Sequence, residues 1–228
     1  MKRIVIGLLL AAMLLISATA MAVTEYVEIL TLKNPEGATY LGGGAFAIES
    51  IAGKTSLDCF ALVENETGMT LTARDPQIVI VEGGKVIYAI PANVIQPMVV
   101  PDGGMLLVTA GLTYPGKIPE GAQIAVDFDL ARADDPRELV RVSECELRAS
   151  QYGESVRIVY DAAKLPDGKY EAIFIAIDKD GWLIFADSKD FRGGQAQEVT
   201  VAIEDREVLA MREAGKELRK AYVIIYAK

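Results

Sequence analysis

The strongest constraint on how this chain can fold is that it carries the same order of landmarks twice. Ile78-Val79-Ile80-Val81 is followed by Glu82-Gly83-Gly84 and by a second apolar run ending Tyr88-Ala89. Phe174-Ile175-Ala176-Ile177 is followed by Asp178-Lys179-Asp180-Gly181 and by a run ending Phe185-Ala186. Gly84 matches Gly181, and Ala89 matches Ala186, at one offset of 97 residues. Upstream, the apolar run 60–64 is stopped by Asn65 as 156–160 is stopped by Asp161, at an offset of 96. Downstream, Gly103-Gly104 precedes the run 105–109 as Gly193-Gly194 precedes 199–203, and Gly121 leads into 124–128 as Gly215 leads into 221–226. Four landmarks in one order imply two copies of one structural unit.

The unit is built from strands. Short runs rich in Val, Ile, Tyr and Phe recur every ten residues or so, separated by Gly, Pro, Asp and Asn. Residues 155–160 and 169–174 half-alternate, as expected of a sheet with one packed and one wet face. Evenly spaced strands without intervening helices predict an all-β chain of two tandem immunoglobulin-like antiparallel β-sandwiches, each about seven-stranded. One helix is expected near the C-terminus, capped by Asp205, with Val208, Met211 and Leu218 on one face and Gly215 interrupting or ending it. A surface crossover between two strands accounts for its narrow apolar stripe better than a docking helix does. The charged segment broken by Pro136 marks the junction, giving a first sandwich at 45–133 and a second at 134–228.

The beginning of the chain is an address. Lys2 and Arg3 precede an uninterrupted apolar run at 4–16, and Ala20-Met21-Ala22 fits a small-x-small cleavage site. That layout predicts a signal peptide at 1–22, because thirteen apolar residues rise only about 20 Å against the ~30 Å of a bilayer. An extracytoplasmic location follows (periplasm, cell surface or secreted), with no membrane span after cleavage. Residues 23–44 read as an N-terminal strand, 24–32, on a flexible tether containing Asn34-Pro35-Glu36-Gly37 and Gly42-Gly43-Gly44. Export permits a disulfide. Cys59 and Cys145, however, fall in different copies and on non-equivalent strands, which favours two unpaired thiols.

The stretch 156–186, with its strand, Asx turn, strand and Asp-x-Asp-Gly hairpin, resembles the small bacterial immunoglobulin-like sandwiches of the FxLYD type. Phe174-Ile175-Ala176-Ile177-Asp178-Lys179-Asp180-Gly181 is similar to the central motif of that family, with Ala-Ile where Leu-Tyr is expected. Glu82-Gly83-Gly84 in the first copy departs further. The resemblance implies extracytoplasmic scaffolding or binding and brings no catalytic residues.

Composition removes several chemistries. With no His among 228 residues there is no Ser-His-Asp triad, no Cys-His pair and no His-ligated zinc. A formal charge of −9 argues against a nucleic-acid partner. Asp178-Lys179-Asp180-Gly181 begins like a calcium loop but runs on into an apolar strand, so a hairpin turn is expected. The pairs Asp127/Asp129 and Asp187/Asp190 are the surface and turn carboxylates such a charge makes common, rather than a glycosidase pair. Asn65-Glu66-Thr67 is a formal glycosylation sequon that also reads as a turn. No catalytic, cofactor or metal residue is assigned, and the chain reads as non-enzymatic.

Two segments fit the sandwich poorly and become the candidate partner-binding residues. One is the N-terminal strand, with Tyr26, Val27, Ile29 and Leu30, which folds back on its own domain or adds to a neighbour's sheet. The other is the proline-studded run 90–101, with Val94, Ile95, Met98 and Val99, which covers a sheet edge or meets a partner. The sequence thus leaves two functions: an extracytoplasmic binding or adaptor protein with a protein partner, or a structural subunit that self-assembles through its N-terminal strand into a fibre or surface layer.

Overall fold

The computed structural model describes residues 24–32, 37–50, 52–134, 137–194 and 197–228, leaving the side chain of Val94 outside the description. The expected signal peptide at 1–22 and the tether residues Asn34-Pro35-Glu36 lie outside the described residues. The chain is all-β in two domains with one helix near the C-terminus. Domain 1 holds β1 (Thr24–Thr31), β2 (Ala38–Glu49), β3 (Thr55–Asn65), β4 (Leu71–Glu82), β5 (Lys85–Pro91), β6 (Val94–Gln96), β7 (Met105–Tyr114) and β8 (Gln123–Arg132). Domain 2 holds β9 (Glu138–Ala149), β10 (Val156–Asp161), β11 (Gly168–Asp178), β12 (Leu183–Gly193), β13 (Glu198–Ile203), the helix α1 (Asp205–Glu213) and β14 (Leu218–Ala227). Eight strands and six therefore stand where seven and seven were expected. No helix among the described residues is long and apolar enough to cross a membrane.

The strand orders are β5-β4-β8-β1-β2-β3-β7-β6 and β12-β11-β14-β9-β10-β13. Five strands of each domain correspond. β3 pairs with β7 as β10 pairs with β13, β4 makes a hairpin with β5 as β11 does with β12, and β4 pairs with β8 as β11 does with β14. Each of the repeated landmarks falls on one of these matched strands or in the turn beside it. The matched Asx positions also do matched work. Asp161 Oδ1 accepts the Ala163 N–H at 3.0 Å, and Asn65 Oδ1 accepts the Thr67 N–H at 3.1 Å.

Asn65 does more than start a turn. It is 3% exposed, and its Nδ2 donates to the carbonyls of Met69, Pro101 and Val100 at 2.7, 3.0 and 3.3 Å. Its amide joins the β3–β4 turn to the proline-rich segment.

Three local expectations change. Gly42-Gly43-Gly44 is strand, not tether: it lies in β2, opposite Leu62, Ala61 and Phe60 of β3. Bare backbone is needed there because a Cβ on Gly44 would come 2.6–2.7 Å from the rings of Tyr26 and Phe60. The sandwiches are antiparallel except that residues 29–31 of β1 run parallel to 124–126 of β8. The helix begins one residue early: Glu204 is the N-cap, with its N–H bonded to the Glu207 carboxylate at 2.8 Å. Asp205 is used elsewhere, accepting the N–H groups of Ser155 and Glu154 at 2.6 and 3.1 Å and so holding the β9–β10 loop. The helix does cross from β13 to β14, and Gly215 at φ +74° closes it, with Lys216 N–H bonded to the Met211 carbonyl at 2.8 Å.

The β2–β3–β7 sheet is apolar on both faces. Ala45, Ala47, Leu57, Cys59, Ala61, Val63, Leu106 and Val108 fill the domain 1 core, while the alternating Phe46, Phe60, Leu62 and Leu107 join a cluster centred on domain 2. The wet face expected from alternation is absent on this sheet because β12 lies across it. Gly44→Val should therefore overpack the boundary between domains and cost about 1–3 kcal/mol, read as a lower guanidinium midpoint. Asn65→Ala, which orphans buried carbonyls, should cost about 2–3 kcal/mol in the same assay.

Candidate functional site

Several buried polar groups meet where the two domains join. Two hydroxyls span the boundary. Tyr226 O–H donates to the Met105 carbonyl at 2.9 Å and accepts the Met105 N–H at 2.7 Å, and Tyr26 O–H donates to the Leu183 carbonyl at 3.3 Å. Burial pushes the Tyr226 phenol up to about 12 and raises that of Tyr26 as well, so neither ionises under ordinary conditions. Lys216, set by the turn that ends α1, bridges Glu28 of β1 at 2.5 Å and the buried Asp178 of β11 at 3.8 Å. Asp178 also accepts the N–H groups of Asp180 and Trp182, each at 2.9 Å, and Gly181 sits at φ +86°. The calcium-like sequence is thus a hairpin turn whose first carboxylate is engaged by its own backbone and by Lys216.

Beside these contacts the domains diverge around a cleft of about 300 Å³. Phe46 and Phe60 of domain 1 and Phe185 of domain 2, each buried, border it with ring centroids 6.2 Å and 6.3 Å apart in series. Four carboxylates line it: Asp58 from β3, Asp187 from β12, Glu204 at the helix N-cap and Glu207 in its first turn. Among the described residues no Lys or Arg lines it, although the charges of Arg206 and Lys189 act on Glu207 and Asp187. Partial burial raises the Asp187 and Glu207 carboxyls above their ordinary values; backbone N–H bonds from Ser188 and Glu204 and the cations Lys189 and Arg206 act against that rise, and the negative charges of Glu204 and Asp58 add to it at Glu207. Among the described residues no three acidic or Cys side chains are close enough to share a metal ion.

None of the four was singled out by sequence as a binding residue. Asp187 carried the only local signal, next to an aromatic-Ala strand end, and its partners come from strands far away in the chain.

The structure divides the sequence-predicted partner residues. Tyr26 and Ile29 are buried, Tyr26 against domain 2 and Ile29 in the domain 1 core, so neither is presented outward. Val27 is half-buried against the same core, and Leu30 is 44% exposed. The proline-rich run bends at Ala92-Asn93 from β5 to β6, and β6 then hydrogen-bonds to the edge of β7. Ile95 and Val99 are half-buried, Val94 contributes its backbone to the β7 ladder, and Met98 stands out at 70% exposed. The run therefore covers a sheet edge. The two segments are not brought together into one surface: β1 lies between β8 and β2, and β6 lies at the far edge beyond β7.

The chain matches no protein-family model and no curated protein. Among solved structures it is matched to the secreted serine protease VesC from Vibrio cholerae at 11% identity and a TM-score of 0.18, covering 90% of this chain and 46% of that one. At that TM-score the likeness carries no argument about fold or activity, and this chain spans under half of that protein's length.

Both cysteines are free and buried, Cys59 in the core of domain 1 and Cys145 in that of domain 2. Burial pushes each thiol up to about 12, aided by Asp58 at Cys59. At pH 8.5 the native protein should give no reaction with a chromogenic disulfide reagent, and unfolding in guanidinium should release two reactive thiols per chain.

Proposed function

We propose that this protein is a non-enzymatic, extracytoplasmic binding or adaptor protein of tandem immunoglobulin-like domains of the FxLYD type, holding a cationic group of a protein partner in the interdomain cleft. The observation that carries the reading is one cleft bordered by three phenylalanines and four carboxylates, with no Lys or Arg among its described lining residues. A lysine or arginine side chain suits it, because its methylene stem can meet the apolar part of the lining while the charged head meets the carboxylates. The two domains are joined by buried aromatic packing, so the cleft is formed before a partner arrives and little ordering is needed on binding. The export signal read at the N-terminus supports the location.

Isothermal titration at low salt with tri-lysine tests the site. Tri-lysine should bind and tri-glutamate should not, and Asp58→Asn with Glu207→Gln should weaken binding at least about tenfold, or 1.4 kcal/mol. Affinity should fall as pH is lowered, beginning above the usual carboxylate range. Asp187 and Glu207 have folded pKa values that are raised, so they take up protons early and lose the charge that attracts the ligand. Equal binding by the double variant, or by tri-glutamate, would refute the site. Expression with the leader intact, followed by mass spectrometry of the exported fraction, should return a chain beginning at Val23.

A further inference from the structure

Another pocket between the domains shares no lining residue with the cleft that holds Asp58 and Glu207. It encloses about 440 Å³, bordered by Ile95, Gln96 and Met98 of the proline-rich run and by Arg137, Glu171 and Lys228 of domain 2. That volume falls within the roughly 300–1,000 Å³ of small-molecule sites. Backbone bonds hold its walls. β6 pairs with β7, the Arg137 N–H bonds to the Val99 carbonyl at 3.4 Å, and the Lys228 N–H bonds to the Lys169 carbonyl at 3.0 Å.

The polar groups of this pocket lack partners of both signs. Glu171 is 5% exposed, yet its side chain makes no hydrogen bond or ion pair among the described residues. Burial raises its carboxyl above the ordinary value; Lys228 and Arg137 act against that rise from a distance, and Asp190 adds to it. A carboxylate that has given up water without gaining a donor favours an arriving cationic donor. Gln96 adds a second acceptor of the same kind, because its Oε1 is buried with no hydrogen-bond partner. Of the two cations, Lys228 is committed to Asp190 at 2.5 Å. The Arg137 guanidinium makes no hydrogen bond or ion pair among the described residues, so its donors are free for an anion.

We propose that this pocket binds a free α-amino acid with an apolar side chain, its ammonium on Glu171 and Gln96 and its carboxylate on Arg137. A zwitterion answers both needs at once. A simple amine leaves Arg137 without an acceptor, and a simple acid leaves Glu171 without a donor. The planar guanidinium suits a carboxylate better than a point charge does. Ile95, half-buried, and Met98, 70% exposed, give the ligand side chain an apolar wall.

Isothermal titration of the purified protein with leucine tests the site. Leucine should bind. Leucinamide, which lacks the carboxylate, and 4-methylpentanoate, which lacks the ammonium, should each bind at least about tenfold more weakly. Glu171→Gln and Arg137→Gln should each cause a comparable loss, with an unchanged melting temperature confirming that the variants fold. Both variants should keep their affinity for tri-lysine, so the two sites stand or fall separately. The analogue series needs no substitution: failure of both leucine and methionine to bind, or equal binding by leucine and its two analogues, overturns the proposal.

Discussion

The structure depends on one sheet being buried twice. In β2, β3 and β7 the odd-numbered residues from Ala45 to Val63, with the even-numbered Leu106 and Val108 opposite them, pack the first domain; Phe46, Phe60, Leu62 and Leu107 pack against the second. Each large side chain moved from water into such packing contributes roughly 1.5–3 kcal/mol. Leaving that face open would expose a row of phenylalanine and leucine, so the second domain acts as a cover as well as a repeat. Buried aromatic contact of this kind, reinforced by the Tyr226–Met105 and Tyr26–Leu183 hydrogen bonds, makes a fixed boundary rather than a loose linker.

Gly42-Gly43-Gly44 shows how backbone chemistry enables that arrangement. Gly42 takes φ +130° at a register shift in β2 and sits 3.3 Å, by its missing Cβ, from the side chain of Leu183. Gly44 clears the space in which the rings of Tyr26 and Phe60 meet. Three glycines in a strand weaken it by themselves. Here all three are held by β3, and Gly44 by β1 as well, and their lack of side chains admits large ones from neighbours. The N-terminal strand is consequently part of the boundary, pairing with β2 and β8 of its own domain and packing against the helix, Leu183 and Lys216 of the other.

Legibility in the sequence followed the range of the interaction. The repeat, the Asx stops at Asn65 and Asp161, the Asp178 hairpin and the crossover helix were readable because each is a local relation between spacing and turn chemistry. The unpaired cysteines followed from the repeat. The Gly run was misread as a tether because glycine signals flexibility in a strand context unless the neighbouring rings are known. Asp205 was misread as a cap because its real partners, the N–H groups of Glu154 and Ser155, belong to a loop some fifty residues earlier. The four cleft carboxylates were invisible as a group, since β3, β12 and α1 meet only after both domains are folded and docked.

By itself the sequence determined that the chain is β, that it says the same thing twice, where its turns fall and that it lacks the histidine on which much hydrolytic chemistry relies. Those are properties of period, composition and short-range hydrogen bonding, and they do not need a partner strand to be defined. Tertiary structure alone decided which face of the β2–β3–β7 sheet meets a second domain, which strand lies beside β8 and which beside β14, and which carboxylates share a cleft. The physical reason is that a strand's two faces are equivalent until something packs on them, and what packs here comes from more than a hundred residues away.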